Sequence, residues 1–375
     1  MLDLGQLVNP AYASLNEILG TPAFPTDLDL RLPLKQETRL RLLQPIFNPA
    51  IGAAHRLART QREAEAAQLA AASRSLAAEI RSAYLRWAGA ERVVELYEGT
   101  LPLVGENLRV NERLVSNGRA TPDAALRARA ERAEVEQQLA ASEERAAAAK
   151  RYLNFLLDRP FDAELRSLPD SALVAEELPD LASALASATA RREELRQVQA
   201  GVDAARAQQR LATASFVPSL AAAVDWGIQG NDYRVSGGAD YALATVSLQW
   251  NLFNGGQDVA RRQQARLDEE RLRVQRREVE RQVALVVRQA HEGAEVARRA
   301  VPTADARLAA ADRAIQLVAR RYGEGLSPLV EFLDARTAYT TAGLNRILSV
   351  YDAMLRRVEL SRAAALDALP ISAAR

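Results

Sequence analysis

Hydrophobic and polar positions along the chain follow two periods, and the change between them falls at Phe216 to Gly256. Leu220, Ala222, Val224, Trp226 and Ile228 alternate with Ser219, Ala221, Ala223, Asp225, Gly227 and Gln229. A break rich in Gly, Asn and Asp follows (Gly230 to Asp240). Val246, Leu248, Trp250 and Leu252 then alternate with Thr245, Ser247, Gln249 and Asn251. A period of two sends successive side chains to opposite faces of a strand. The stretch therefore reads as a hairpin with one apolar face and one face of small and polar residues. Long helical pattern flanks it on both sides and offers no ordinary core for the apolar face. That face must meet a partner, a sheet closed with other subunits, or lipid.

Upstream, Leu28, Leu30, Leu32 and Leu34 alternate with Asp29, Arg31, Pro33 and Lys35, and Leu40 and Leu42 continue in phase. This is one long strand or two short ones turning at Gln36-Glu37. Met1 to Pro25, with Pro10, Pro22, Pro25, Gly5 and Gly20, reads as a loop excursion with a short helical patch near Ala11 to Leu19. From Ala53 to Ser116 the period becomes helical. Leu69, Leu76, Ile80, Ala83, Trp87, Ala90, Val94, Tyr97 and Leu101 recur at steps of seven, four and three, the heptad seam of left-handed coiled-coil packing. Such a helix would be roughly 95 Å long at 1.5 Å per residue, and Pro102 is a place for a kink. Asn117-Gly118 stops it, and Thr121-Pro122 opens a second helix that runs to Leu157. Residues 158–180 form an irregular connector, and 181–214 a third helix. A second very long helix follows Gly255-Gly256, with Leu272, Val279, Val283, Val286, Ala290, Ala294, Ala297 and Val301 as its seam. Gly323 to Gly325 stops it, Ser327-Pro328 restarts the chain, and a last helix ends near Leu369.

These elements repeat. Phe47-Asn48 and Phe253-Asn254 each precede a long helix and lie 206 residues apart; Gly118 and Gly325 mark the two turns, 207 apart. Leu126/Leu333 and Ala128/Ala335 keep the second offset, so the chain is a tandem duplication of strand, long helix, turn and shorter helix. One long helix is matched in length by two shorter ones end to end. On that arithmetic the second unit's partner, a short helix and one strand, is expected upstream of Met1 together with a signal peptide.

Composition narrows the chemistry. With 49 basic and 48 acidic residues the formal net charge is +1, which favours neither nucleic acid nor an anionic surface. Lysine occurs only at Lys35 and Lys150, so the positive charge is nearly all Arg, in pairs such as Arg261-Arg262 and Arg276-Arg277 set among glutamates. There is no cysteine, which excludes disulfides, thiolate metal sites and cysteine nucleophiles. No run reaches the length of a membrane-spanning helix, so contact with a membrane core would have to be made by strands. His55 and His291 lack the neighbours of a metal site. Neither a phosphate-binding loop nor a nucleophile elbow is present. The reading includes no metal, cofactor or enzymatic activity.

The strand end SLQWNLFNGG (247–256) and the turn RRYGEGLSPLVEFLDARTAY (320–339) resemble the TolC-like outer-membrane efflux family. The counterparts LLQPIFNPAIG (42–52) and RLVSNGRATPDAALRA (113–128) match more loosely. The resemblance covers residues 28–369. It implies a mainly α fold with membrane β-strands, a tandem-repeat, long α-helical coiled-coil barrel joined to a trimeric twelve-stranded outer-membrane β-barrel. Apolar strand faces would then meet lipid and polar faces water. Leu220, Val224, Trp226, Ile228, Val246, Leu248, Trp250 and Leu252 would be lipid-facing. The implied divisions are 1–52 (loop and strands), 53–157 (helical hairpin), 158–180 (equatorial connector), 181–215 (short tunnel helix), 216–254 (barrel hairpin), 255–369 (second helical hairpin) and 370–375 (tail). In the family the two Gly turns lie at the periplasmic tip and dock an adaptor. Here that carries over to Asn117, Gly118, Arg119, Gly325, Leu326 and Ser327, with Asp123, Glu331 and Asp334 as pore or gate carboxylates. The first turn departs from the second, GRATPD standing for GLSPLV. The implied partners are two further copies of the chain, a periplasmic adaptor (membrane fusion) protein, an inner-membrane efflux or secretion pump, and outer-membrane lipid. The implied function is a passive exit duct in the outer membrane, reaching into the periplasm. The alternative is a soluble or periplasmic coiled-coil scaffold whose hairpin pairs with another protein.

Overall fold

A computed structural model describes residues 2–3, 5–28, 31–32, 36–167, 177–230 and 240–368. The expectations for the break at 231–239, for connector residues 168–176, for Leu30 and Leu34, and for the tail at 370–375 lie outside the described residues. The chain divides into two compact units, one of residues 1–59 and 203–270, the other of 60–202 and 271–375.

The first unit holds the strands. It opens with β1 (Leu2–Asp3) and α1 (Gly5–Leu19), then β2 (Arg31–Leu32), which pairs antiparallel with β1. The expected loop excursion is thus a helix of 15 residues. Pro10 forfeits one backbone bond inside it, but side chains hold the helix to the loop that follows. Asn9 exchanges two hydrogen bonds with the Leu28 backbone and Asn16 two with that of Phe24. The main sheet is β3 (Gln36–Phe47), β4 (Ser219–Gly230) and β5 (Asp240–Gln249), antiparallel in the order β3-β4-β5. Residues 33–35, between β2 and β3, lie outside the described residues. The chain makes no turn at Gln36-Glu37, since β3 runs straight through both residues with Gln36 opposite Gly230. The register slips once, between Pro45 and Phe47, where a residue without an N–H sits on an edge strand. Gly227 has no room for a side chain. A Cβ there would meet the Thr38 carbonyl oxygen at 2.6 Å and the Tyr241 ring at 3.1 Å. The ring instead covers the bare backbone, and its hydroxyl donates to Glu37 at 2.8 Å.

The helices are α2 (Pro49–Ser116), α3 (Pro122–Leu156), α4 (Leu181–Arg191), α5 (Glu193–Ala214), α6 (Gln257–Gly323) and α7 (Leu329–Ala364). Within the second unit, Ala83, Leu85, Trp87 and Ala88 of α2 pack with Leu153 of α3 and Ile347, Val350, Tyr351 and Met354 of α7. A second cluster joins Ala184 and Ala188 of α4 to Val283, Val287, Ala290 and Ala294 of α6 and Leu360, Ala363 and Ala364 of α7. Most of both seams is therefore buried or half-buried. Leu69 and Leu76 are not. They lie on the solvent side of α2, while Ala67, Ala71, Arg74 and Ala78 turn inward. Arg74 explains the choice of face, since its fork grips the buried Glu193 carboxylate at 2.9 and 2.8 Å.

The third predicted helix is two helices. Arg192 stands between α4 and α5 in extended backbone, φ −65° and ψ 125°. Its guanidinium donates to the Ala363 carbonyl at 2.5 Å and to both oxygens of Glu194. Breaking the helix turns this side chain toward the end of α7, where the last carbonyls have no partner within their own helix. That helix stops at Ala364, five residues short of the expected Leu369, because Ala365 adopts a left-handed φ of 51°.

Four helix ends share one design. At each, a residue with positive φ donates its N–H three residues back and the next donates five back. The pairs are Gly118 to Val115 with Arg119 to Leu114, and Gly325 to Tyr322 with Leu326 to Arg321. Asp158 to Phe155 with Arg159 to Asn154, and Ala365 to Arg362 with Leu366 to Ser361, complete the set. This is the Schellman closure of a helix C-terminus. Asp158 and Ala365 stand 207 residues apart, like Gly118 and Gly325, so the repeat reaches beyond the turns to the far ends of the shorter helices.

Candidate functional site

The register fixes two sheet faces. Leu40, Trp226 and Ala242 share one rung; Leu42, Val224 and Ala244 the next; Ala222 meets Val246 and Leu220 meets Leu248. This face is apolar and open, with Val246 70% and Leu248 68% exposed, while Leu220 and Ile228 are half-buried. Trp250 and Leu252, also expected on it, fall beyond the ladder, whose last rung is Ser219 with Gln249. Pro218 has no N–H to extend it further. Both side chains are nevertheless exposed, and the Trp250 indole donates to the Phe216 carbonyl at 3.3 Å. The opposite face carries Glu37, Arg39, Arg41, Asp225, Tyr241, Thr245, Ser247 and Gln249, interrupted by two exposed leucines, Leu43 and Leu243. Asp225 is buried beneath Arg41, which grips it at 2.6 and 2.9 Å.

In the second unit both Gly turns present backbone outward. Asn117, Gly118 and Arg119 are exposed, as are Gly325 and Leu326. Ser327 is buried instead, and its hydroxyl donates to the Glu331 carboxylate, which Arg321 also approaches at 3.7 Å. Glu331 is thereby tied into the turn, whereas Asp123 and Asp334 are exposed on their helices. Asp123 pairs with Arg127 at 3.6 Å, and the Thr121 hydroxyl beside it holds its carboxyl below the usual range.

Residues 184–365 match the family model described as outer membrane efflux protein. That match covers just under half of the chain. The fold is similar to the open state of the Neisseria gonorrhoeae MtrE outer membrane channel, with TM-score 0.75 and 19% identity over 96% of this chain and 85% of that one. It is also similar to the Vibrio cholerae outer membrane protein VceC (TM-score 0.71, 17% identity, 96% and 92% covered). A third neighbour is the Campylobacter jejuni CmeC outer membrane channel (TM-score 0.69, 14% identity, 96% and 82% covered). At these identities the likeness establishes a shared fold. No curated protein matches the sequence.

Two residues of the matched segment, Tyr322 and Arg336, end a buried polar relay that the sequence reading missed. Tyr322 of α6 donates to Asn111 of α2 at 2.8 Å, and Asn111 donates to the backbone and side-chain oxygens of Asn107 at 2.8 and 2.9 Å. Asn107 donates to Glu131 of α3 at 3.4 Å, and the other Glu131 oxygen lies 2.7 Å from Arg336 Nε of α7. That last contact is an ion pair without hydrogen-bond alignment. Burial pushes the Glu131 carboxyl above the usual range, against the pull of Arg336 and Asn107. The relay links four helices just behind the two turns. Asn107 and Asn111, four apart among Val104 and Leu108, are the sequence signal for it. His291, set aside as a ligand, is buried and donates from Nε2 to the Pro179 carbonyl at 2.9 Å. Among the described residues no His, Cys, Asp or Glu cluster could hold a metal, and no helix is long and apolar enough to cross a membrane.

Proposed function

We propose that the protein is an outer-membrane exit duct of a tripartite efflux or secretion system. The observation that carries this is the three-stranded sheet whose register gathers Leu40, Leu42, Val224, Trp226, Val246 and Leu248 on one exposed face and sets the Arg41–Asp225 pair on the other, in a chain with an efflux-channel fold. Apolar faces of that extent are stable only against an apolar medium. Spanning a bilayer with strands further requires that both sheet edges be paired. The edges β3 and β5 are paired within a barrel that three copies of the chain close together, with the apolar face to lipid and the Arg41–Asp225 face to water. The helical unit lines the periplasmic conduit. Its exposed turns, Asn117 to Arg119 and Gly325 to Ser327, dock the periplasmic adaptor, and an inner-membrane pump supplies the energy. Glu331 steadies the second turn through Ser327, and Asp123 and Asp334 place carboxylates beside the turns.

Expression of the natural gene in a bacterium with two membranes tests the reading. The expected result is a trimer in the outer-membrane fraction that conducts ions in planar bilayers. A protein recovered from the soluble fraction as monomer or dimer would overturn it. Given a trimer, Leu326→Glu should abolish cross-linking to the adaptor while leaving trimer and conductance intact.

A further inference from the structure

The first helix is amphipathic in the reverse of the usual sense. Its two asparagines face its own loop, while Gln6, Ser14 and Glu17 are exposed. Asn9 Nδ2 donates to the Leu28 carbonyl and Leu28 N–H returns to Asn9 Oδ1, both at 2.9 Å. Asn16 does the same with Phe24 at 2.7 and 2.8 Å, and Tyr12 stacks on the Phe24 ring at 5.2 Å. Each asparagine thus satisfies a whole peptide group of the return segment, as a neighbouring strand would. The large apolar side chains point the other way. Leu7 is 65% exposed, Ile18 79% and Leu19 55%. A soluble loop would hide these and expose the asparagines.

Position in the chain says what they meet. Phe47, at one end of β3, leads directly into α2. Gln36, at the other end, pairs with Gly230. The α1 loop joins the sheet at this second end, since Leu28, which α1 holds, precedes Gln36 by only eight residues. From Phe47 to Thr38 the strand rises about 30 Å, or roughly 25 Å when tilted as barrel strands are, the height of the apolar band of such barrels. The helix therefore emerges at the rim of the apolar face, remote from α2. We infer that α1 lies in the outer interface of the bilayer, with Leu7, Ile18 and Leu19 among the lipid chains beside Trp226. This rests on the duct reading. Basic residues are missing from Met1 to Leu30, so the affinity comes from apolar burial, and zwitterionic lipid suffices.

The cysteine-free sequence allows single labels without background. Nitroxides at Ile18→Cys and Leu7→Cys on α1, and at Leu248→Cys on the sheet, are compared in the assembled protein in phosphatidylcholine vesicles. Collision with oxygen is expected to exceed collision with a water-soluble nickel chelate several-fold at all three, with shallower depth on α1. Chelate-accessible α1 labels, or α1 labels broadened by a neighbouring copy's spin, would overturn the inference, the second result meaning that three helices meet over the mouth. A lipid-exposed Leu248 label in either case leaves the duct standing. A water-exposed Leu248 label defeats the duct and the inference together.

Discussion

Asp158 and Ala365 hold φ angles of 53° and 51°, a conformation that costs a residue with a Cβ about 1–2 kcal/mol. Asp158 is exposed, so Asp158→Gly should stabilise by about 1 kcal/mol, read as a higher midpoint in thermal unfolding of the detergent-solubilised protein. Ala365 is fully buried, and losing its methyl costs about 0.8 kcal/mol. There the two effects cancel, and Ala365→Gly should leave the midpoint unchanged. Glu131 gives a prediction in pH. Its carboxyl titrates above the usual value of about 4.3 because burial disfavours the charge. The folded state then holds a proton that the unfolded state has released, so stability from this group is fully present below the unfolded value. It is lost as pH rises through the raised one. Glu131→Gln, fixed in the neutral form and still able to accept from Asn107, should abolish that slope without lowering the midpoint at pH 7. Arg336→Met strips the carboxylate of its cation and should cost about 3 kcal/mol. A midpoint that falls equally in both variants would mean that the ion pair, and not burial, governs the site.

At the scale of elements, the sheet predicts an asymmetry between adjacent faces. Val224→Arg places a charge at mid-height on the apolar face and should cost about 2–4 kcal/mol, whereas Thr245→Arg on the opposite face should cost little. Urea titration of folding into lipid vesicles measures both, and equal costs would remove the distinction between the faces. Period-two alternation made this face legible in the sequence because a strand's facing is set by parity alone. The long helices were legible for a similar reason, a heptad repeated many times over. What escaped was decided by single side chains acting at a distance. The choice of Ala67 and Ala78 over Leu69 and Leu76 for the inner face follows from Arg74 reaching Glu193, 119 residues away. The break at Arg192 follows from a carbonyl 171 residues away, and α1 is held by asparagines whose periodicity is that of an ordinary turn-rich loop. The scarcity of lysine also becomes intelligible here. Arg74, Arg41 and Arg192 each present two or three nitrogens at once, which an ammonium cannot do.

At the scale of the whole chain the tandem repeat was legible from Gly118 and Gly325. Its reach to Asp158 and Ala365 was not, since neither residue type announces a helix stop. The site residues divide likewise. The turns could be found because glycine marks them, while the Tyr322–Glu131 relay depends on four helices whose contacts no local pattern encodes. The helical hairpins of the two repeats match in length, 68 then 35 residues in α2 and α3, and 67 then 36 in α6 and α7. Equality of this kind restrains how such a gene can change. One residue added within a helix advances everything beyond it by about 1.5 Å and turns it by a hundred degrees, carrying Asn111 away from Tyr322 and Glu131 away from Arg336. A matching insertion in the other half restores both. Length in this protein should therefore be inherited as a coupled quantity, drifting in paired steps or not at all.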